Sequence, residues 1–308
     1  MGASLHFWIW FNAFVLFMLV LDLTVFHRHP RAVRVREAVG WTILWIALAV
    51  VFALLIYLRA GGQKTLEFAT GYLIEESLSV DNLFIFLLIF RYFKVPGELQ
   101  HRVLFWGIIG ALIMRGAFIV AGVSLMRHFH WVIYAFGAFL VFTGARMLLE
   151  GAKEVHPEKN RVLRLFRRFF KVTPDYEGNK FLVRREGVNW ATPLLVVLIL
   201  VESTDVLFAT DSIPAVLAIT SDPFIVYTSN VFAILGLRSL YFVVAGLMGV
   251  LRFLHHGISA LLIFIGGKML ISHFIEIPTL YALAGIVMIV GASIAASLLF
   301  PAGKSNVA

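Results

Sequence analysis

Nine apolar runs, each close to the roughly 20 residues that cross a bilayer as a helix, constrain this sequence more than any other feature. They fall near residues 5–26, 41–58, 69–90, 103–126, 131–149, 191–219, 224–250, 255–275 and 278–300. Of the 308 residues, 60% are hydrophobic and 14% are charged, whereas a soluble domain is about half apolar and about a quarter charged. The sequence therefore predicts an all-α polytopic membrane protein with about nine transmembrane helices.

Positive charge is distributed unevenly between the predicted loops. If the N-terminus is outside, the inside loops hold nineteen Lys and Arg residues, ten of them between Lys153 and Arg185. The outside loops hold three: Arg59, Lys64 and Arg127. Because cytoplasmic loops carry the excess of Lys and Arg, the pattern predicts an outside N-terminus and a cytoplasmic C-terminus. The basic stretch 161–168 is expected to form an amphipathic helix near anionic lipid, and no nucleic-acid partner is expected.

An internal repeat divides the chain. Segment 137–148 (GAFLVFTGARML) and segment 259–270 (SALLIFIGGKML) share six of twelve residues at an offset of 122. The predicted parts of this single transmembrane domain are an N-terminal helix pair (5–58), repeat 1 (69–149), a basic cytoplasmic linker (150–189), repeat 2 (191–275) and a C-terminal helix (278–300).

The second repeat is predicted to enter the membrane upside down, because each repeat has three spans and a cytoplasmic linker joins them. Inverted repeats are typical of secondary transporters, whose sites lie near the midplane where the repeats meet. A duplicated scaffold without transport is the alternative.

Acidic residues concentrate in the first helix of each repeat, within EESLSVDN (75–82) and ESTDVLFATDS (202–212). Five ionised acids facing lipid would oppose insertion by about 12–18 kcal/mol, so these acids are expected to line a polar cavity. The predicted metal ligands are Glu75, Asp81, Glu202, Asp205 and Asp211, with Asn82, Ser212 and Thr210 as additional candidates. Arg115 and Arg238 are candidate counter-charges. Alternatively, Arg115, Arg146, Arg238 and Lys268 pair with the acids in a rigid core.

Pro214 could change the direction in which Asp211 points relative to the other acids of repeat 2. In a straight helix Asp211 lies about 180° from Glu202, although Asp205 shares a face with Glu202. A proline removes a helical hydrogen bond and clashes with the preceding turn. The sequence therefore predicts a helix break around 210–214 that re-aims Asp211. Repeat 1 has no matching proline, so a break near Asp81 rests on analogy alone.

The ligand types limit the cation. The chain has no cysteine, which excludes thiolate metal sites and disulfides, and carboxylate, hydroxyl and amide oxygens suit Mn²⁺, Ca²⁺ and Mg²⁺ equally well in this pattern. Proton coupling is plausible, since carboxylates lose protons when they bind metal. No fixed cofactor and no enzymatic activity are expected, and no Gly-x-Gly-Asp string of an intramembrane aspartyl protease occurs.

The strings GYLIEESLSVDN (71–82), VESTDVLFATDSIPA (201–215) and DPFIVYTSNVFAILGLRSLYF (222–242) resemble the TerC family of integral membrane proteins, and within it the Alx-type manganese exporters of bacteria. The resemblance covers about residues 70–275. It implies export of Mn²⁺ from the cytoplasm across the inner (plasma) membrane, with tellurium resistance as an older association of the family. The family's acidic positions fall on the five predicted ligands, whereas Glu76 stands where close relatives can carry Lys.

Two functions remain open at this point. The first is a secondary transporter that exports Mn²⁺ through the intramembrane carboxylates, coupled to protons. The second is a membrane scaffold that delivers metal to other proteins, or assembles with them, through the basic linker. Acid-to-amide changes should abolish the first function, and replacement of the linker should abolish the second.

Overall fold

The computed structural model describes residues 5–26, 35–129, 131–150, 160–185, 187–246, 253–275 and 277–300. Its elements are α1 (Leu5–Phe26), α2 (Val35–Ala60), α3 (Gly62–Tyr92), α4 (Gly97–His128), α5 (Val132–Glu150), α6 (Arg161–Phe169), β1 (Leu182–Arg185), β2 (Val188–Ala191), α7 (Pro193–Leu217), α8 (Pro223–Gly246), α9 (Leu254–Ile271) and α10 (Thr279–Leu299). The N–H of the first residue of a helix has no partner within the helix, so proline, which has no N–H, is well suited to a helix start. Accordingly, Pro193 and Pro223 begin α7 and α8, and Pro96 and Pro278 directly precede α4 and α10.

The all-α polytopic membrane fold is confirmed. Seven helices in the described part of the chain are long and apolar enough to cross a membrane: α2, α4, α5, α7, α8, α9 and α10. The apolar part of α1, Leu5–Leu21, is shorter, and α3 carries four acids along its 31 residues. The predicted number of nine spans is therefore approximate. The two predicted spans that do not meet the criteria of length and apolar character are α1 and α3, and α3 carries Glu75.

The two predicted repeats pack on each other through corresponding helices. α3 contacts α7, α4 contacts α8, and α5 contacts α9. The first helix of each repeat also packs on the second helix of the other repeat: α3 packs on α8, and α7 packs on α4. Outside the repeats, α2 packs on α3 and α8, and α10 packs on α3 and α9. Helices α3 and α7, which carry the acids, therefore lie inside the bundle.

Glycines allow α5 and α9 to approach closely. A Cβ on Gly137 would lie 3.0 Å from the carbonyl oxygen of Gly266, and one on Gly144 would lie 2.7 Å from that of Ser259. In the repeat, 137 corresponds to 259 and 144 to 266, so the two contacts are reciprocal. The contact moves forward along α5 and backward along α9, so the helices are antiparallel. A pseudo-two-fold axis perpendicular to the two helices therefore relates α5 to α9. Inverted repeats are related by an axis of this kind.

Helices α3 and α7 are also antiparallel. Near the start of α3, Glu67 accepts a hydrogen bond at 2.6 Å from Thr220, which follows the end of α7. Near the end of α3, Phe90 shares a buried cluster with Leu194 at the start of α7. Residues that follow the acids in α3 and in α7 therefore diverge toward opposite ends of the bundle.

The predicted break in α7 is wrong. The helix is continuous from Pro193 to Leu217 with Pro214 inside it. Pro214 has no N–H to donate to the carbonyl of Thr210, but the loss of this one hydrogen bond does not end the helix, and the Pro214 carbonyl accepts from the N–H of Ala218 at 3.0 Å. Helix α3 is likewise continuous from Gly62 to Tyr92, so the analogous break near Asp81 is also wrong.

The described part of the linker contains a short helix and an antiparallel hairpin, while residues 151–159 lie outside the described residues. The helix, α6, covers the basic stretch for which the sequence predicts a helix. The side chain of Asn160 accepts from the N–H groups of Val162 and Leu163, which caps α6, and donates to Ser203 Oγ in α7 at 3.0 Å. The sequence did not predict the hairpin, in which Leu182 pairs with Ala191.

A second contact holds the linker to the bundle. The hydroxyl of Tyr176 donates to the carbonyl oxygen of Phe93, at the end of α3, at 2.8 Å. Burial raises the pKa of the Tyr176 phenol to about 12, so the group keeps this proton at neutral pH. The linker is therefore attached at α3 through Tyr176 and at α7 through Asn160.

Candidate functional site

Helix α4 places the guanidinium of Arg115 between α3 and α7. Its Nη1 donates to Glu75 Oε2 at 2.5 Å, and its Nη2 and Nε donate to Asp205 Oδ1 and Oδ2 at 3.1 and 3.3 Å. The exposed fractions are 1% for Arg115, 1% for Glu75 and 5% for Asp205. One acid from each repeat thus shares a single enclosed arginine.

The electrostatics of this triad leave room for a further positive charge. Burying an ion costs several kcal/mol unless its partners compensate, so the arginine and the two acids depend on each other. With both acids ionised, the triad carries one net negative charge. Glu75 Oε1 is buried and makes no hydrogen bond within the described residues. A buried carboxylate oxygen without a donor is suited to accept a proton or a cation.

Glu202 lies against the backbone of α4. A Cβ on Gly110 would lie 2.1 Å from Glu202 Oε1, so glycine is the residue that leaves space for this carboxylate. Glu202 and Asp205 are one turn apart on α7 and line the same cavity, together with Gly107 and Ala111 of α4. The cavity has a volume of about 10 Å³, close to the minimum that holds one water molecule.

The other two predicted acids lie to either side of this centre. Asp81 follows Glu75 by six residues, which is about 9 Å along a helix. Asp211 follows Asp205 by the same number, and the antiparallel helices place it about 9 Å away in the opposite direction. The structure therefore joins Glu75 to Asp205 through Arg115, places Glu202 beside Asp205, and separates Asp81 from Asp211.

Asp81 faces a histidine instead of the other predicted acids. Its Oδ1 lies 3.5 Å from Nδ1 of His255 in α9, and the other ring nitrogen, Nε2, lies 3.1 Å from the carbonyl oxygen of Met147 in α5. The side chains of Asp81 and His255 are 20% and 16% exposed. Sequence reasoning missed this histidine, because 174 residues separate it from Asp81 and it stands near the end of a predicted span.

The additional candidates differ in their surroundings. Asn82 Nδ2 and Ser212 Oγ are buried and make no hydrogen bond within the described residues. Thr210 is exposed, and its hydroxyl donates to the carbonyl oxygen of Leu207 at 2.5 Å. Other buried polar atoms in the described residues that make no hydrogen bond include Glu76 Oε2, Ser79 Oγ, Asn230 Oδ1 and Asn230 Nδ2. Such atoms are rare in stable proteins, and here they concentrate on α3, α7 and α8.

The basic residues within the spans have different environments. Arg238 is 8% exposed in α8, whereas Arg146 is exposed on α5. Lys268 donates to the carbonyl oxygen of Ala218 at 3.1 Å. Pairing of the kind that the rigid-core alternative requires is seen at Arg115, which binds Glu75 and Asp205.

As the side chains stand, no group of three or more Asp, Glu or His residues in the described part of the chain could hold a metal ion. Arg115 lies where a cation shared by Glu75 and Asp205 would bind. The assignment of the five acids as metal ligands stays a prediction.

A second charged cluster, which sequence reasoning also missed, lies at the other end of α3. Lys64 Nζ lies 2.8 Å from Glu67 Oε2 and 3.1 Å from Asp222 Oδ2, and Thr220 also donates to Glu67 Oε2. Asp222 additionally caps α8 by accepting from the N–H of Phe224. An Asp-Pro pair at a helix start is a capping signal, but it does not indicate which lysine the carboxylate meets.

Comparison with known proteins places the chain in a family. The sequence model of the "Integral membrane protein TerC family" matches residues 60–305. The chain is 50% identical over 292 residues to "Uncharacterized membrane protein STKORF319" of Myxococcus xanthus, a match that covers 95% of the chain and 92% of the relative.

Two further relatives share one description, "Putative membrane-bound redox modulator Alx". The protein of Salmonella typhi is 45% identical and that of Escherichia coli (strain K12) is 44% identical, each over 280 residues, with 88% of the chain and 87% of the relative covered. No solved structure matches the chain. On the family match and these identities, the chain belongs to the TerC family of integral membrane proteins.

Proposed function

We propose that this protein is a secondary transporter of the inner membrane that exports Mn²⁺ from the cytoplasm, with protons as the counter-ion. The observation that carries the proposal is the enclosed triad in which Arg115 binds Glu75 of one repeat and Asp205 of the other. A scaffold has no need of acids that converge on the bundle centre from both repeats. A carrier needs them, because its cargo site lies between the repeats.

Charge balance explains how the triad serves a transport cycle. Without cargo, Arg115 neutralises part of the charge of Glu75 and Asp205, so the empty carrier does not hold two unpaired acids in a low dielectric. With Glu202 ionised as well, the four groups carry two net negative charges. One divalent cation or two protons would neutralise them, so exchange of Mn²⁺ for protons keeps the buried charge constant.

The donor set around the centre fits a hard cation. Carboxylate, hydroxyl and amide oxygens bind Mn²⁺, Mg²⁺ and Ca²⁺. Glu75, Glu202 and Asp205 supply the carboxylates at this centre. In the cargo-bound state Arg115 would move away from the acids, since Mn²⁺ competes for the same oxygens and repels the guanidinium.

The test is Mn²⁺ flux through the purified full chain in proteoliposomes with an imposed pH gradient. Asp205→Asn and Glu75→Gln should each lower the initial rate about tenfold or more, because each removes a charge at the buried centre. Glu177→Gln is the matched control, since Glu177 pairs with Arg185 on the exposed hairpin. Wild-type flux equal to that of empty liposomes, or full flux through Asp205→Asn, would refute the proposal.

The scaffold alternative makes a different prediction, and the linker contacts show how to test it cleanly. Replacing the whole linker would also remove Tyr176 and Asn160, which attach it to the bundle. Changing only Arg164, Arg167 and Arg168 to Gln removes exposed charge from α6 and keeps those attachments. A transporter should keep its Mn²⁺ flux in this variant, whereas a scaffold that recruits partners through basic charge should lose its cellular phenotype.

The name of the Alx relatives mentions redox modulation. Thiol–disulfide exchange requires cysteine, and this chain contains none. A redox effect of this protein would therefore not proceed by thiol–disulfide exchange on its own side chains, and Mn²⁺ export would supply one through the cellular level of Mn²⁺.

A further inference from the structure

The contact between Asp81 and His255 has an unusual geometry. The imidazole lies between a carboxylate oxygen of α3, 3.5 Å from Nδ1, and a main-chain carbonyl oxygen of α5, 3.1 Å from Nε2. A carbonyl oxygen can only accept, so Nε2 carries a proton and donates it to Met147. In neutral imidazole Nδ1 then has a lone pair, which faces the lone pairs of Asp81.

A positive charge between Nδ1 and Oδ1, supplied by a proton or by a metal ion, would remove the repulsion between their lone pairs. At 3.5 Å the contact lies at the long limit of a hydrogen bond from the imidazole to the carboxylate. Two neighbouring ligands of one metal ion, with bonds of about 2.1–2.2 Å, lie about 3.0–3.6 Å apart. The observed separation of 3.5 Å lies within this range, so the pair leaves room for a metal ion between Nδ1 and Oδ1.

The contact with Met147 is also typical of a metal-binding histidine. Such histidines usually donate their other ring N–H to a carboxylate or carbonyl oxygen, which fixes the tautomer and aims the free nitrogen at the metal. Both Asp81 and His255 are partly exposed, so neither side chain is fully enclosed by the bundle. The triad is enclosed by comparison, because Glu75 and Arg115 are 1% exposed.

We infer that Asp81 Oδ1 and His255 Nδ1 form a separate divalent-cation site, through which cargo passes on its way to the central acids. The inference rests on the proposed function, and it adds the imidazole nitrogen of His255 to the oxygen ligands proposed for Mn²⁺. Imidazole binds transition metals far better than it binds Mg²⁺ or Ca²⁺, whereas an all-oxygen site accepts all of them. His255 is therefore the residue that selects Mn²⁺ over Mg²⁺.

Pulsed electron paramagnetic resonance on the full chain in detergent, loaded with Mn²⁺ alone, tests the site directly. The wild type should show magnetic coupling between Mn²⁺ and an imidazole nitrogen. The coupling should disappear in His255→Gln and persist in His256→Gln, a matched control because His256 is the exposed neighbouring histidine. In proteoliposomes, His255→Gln should also reduce the preference for Mn²⁺ over Mg²⁺ about tenfold.

The outcomes separate this inference from the proposed function. Nitrogen coupling that is absent from the wild type, or that survives in His255→Gln, would overturn the site, as would a wild type that binds no Mn²⁺. If Asp205→Asn abolishes flux while His255→Gln changes neither coupling nor ion preference, transport stands and the histidine site falls. If coupling depends on His255 but no wild-type flux occurs, the site stands and transport falls.

Discussion

The smallest feature with a functional consequence is the absence of a side chain at Gly110. The missing Cβ allows the carboxylate of Glu202 to rest on α4 beside Asp205. In Gly110→Ala the added methyl group would displace the flexible end of Glu202, so Mn²⁺ flux should fall by about tenfold to a hundredfold. The melting temperature should change little, because the displaced atoms are the end of a side chain and not backbone.

The control for this prediction lies on the same helix. Gly116 has Tyr227 Cε2 at 3.8 Å as its nearest contact, which is ordinary packing distance for an added Cβ. Gly116→Ala should therefore keep its flux. Equal flux in Gly110→Ala and Gly116→Ala would show that the position of Glu202 does not matter for transport.

Arg115 affects stability as well as function. Arg115→Gln leaves Glu75 and Asp205 buried without their cation, a change that costs about 3–5 kcal/mol when a buried pair is broken. Combining it with Glu75→Gln and Asp205→Asn should restore most of the lost stability, because the triple variant buries no unpaired charge. Thermal unfolding in detergent measures both effects, with Arg127→Gln, an exposed arginine at the end of α4, as the control. An unchanged melting temperature in Arg115→Gln would contradict the charge argument.

At this scale the sequence identifies candidates but not their partners. Glu75, Asp205 and Arg115 stand out because charged residues in apolar spans are costly. A single arginine binds both acids because of the way in which α3, α4 and α7 cross. The residue types alone do not specify these crossing angles. The same holds for Asp81 and His255, which contact each other across 174 positions of sequence.

Among the elements, α5 and α9 approach each other closely where glycines face the partner backbone. A Cβ added to Gly266 would lie 2.6 Å from the carbonyl oxygen of Gly137. A Cβ added to the next residue, Gly267, would have no atom within 4 Å. Gly266→Ala should therefore force the helices apart and destabilise the protein by about 1–3 kcal/mol. Gly267→Ala should be neutral, or stabilise by up to about 1 kcal/mol, since alanine favours a helix. Unfolding in detergent compares the two, and equal stability would rule out the close approach.

Element type and approximate position followed from hydrophobic run length, because a bilayer fixes the length of a spanning helix. Two features did not follow. The hairpin formed by β1 and β2 has strands of four residues each, too short for an alternating pattern to be recognised among basic residues. The break at Pro214 was expected from the residue type, but tertiary packing decides whether a helix continues past a proline, and Pro214 is buried within a continuous α7.

For the whole molecule, the proposed transport requires a path across the bundle, and the acids along α3 and α7 mark the course that we expect for it. His255 and Asp81 lie toward one end, the triad at Arg115 lies in the middle, and Asp211 lies toward the other end, where Glu67 and Asp222 meet Lys64. Export through this path requires the end at Asp81 to face the cytoplasm. The orientation predicted from the positive charges satisfies that requirement, since it places the end of α3 and the basic linker inside.

Because the chain has no cysteine, single-cysteine variants can test this orientation without background labelling. Arg59 is exposed at the end of α2, on the predicted outside, and Glu98 is exposed at the start of α4, on the predicted inside. A membrane-impermeant maleimide should label Arg59→Cys in spheroplasts and should label Glu98→Cys only after the membrane is permeabilised. The opposite pattern would place Asp81 and His255 on the outer side, and the cation site would then serve release of the cargo in place of its capture.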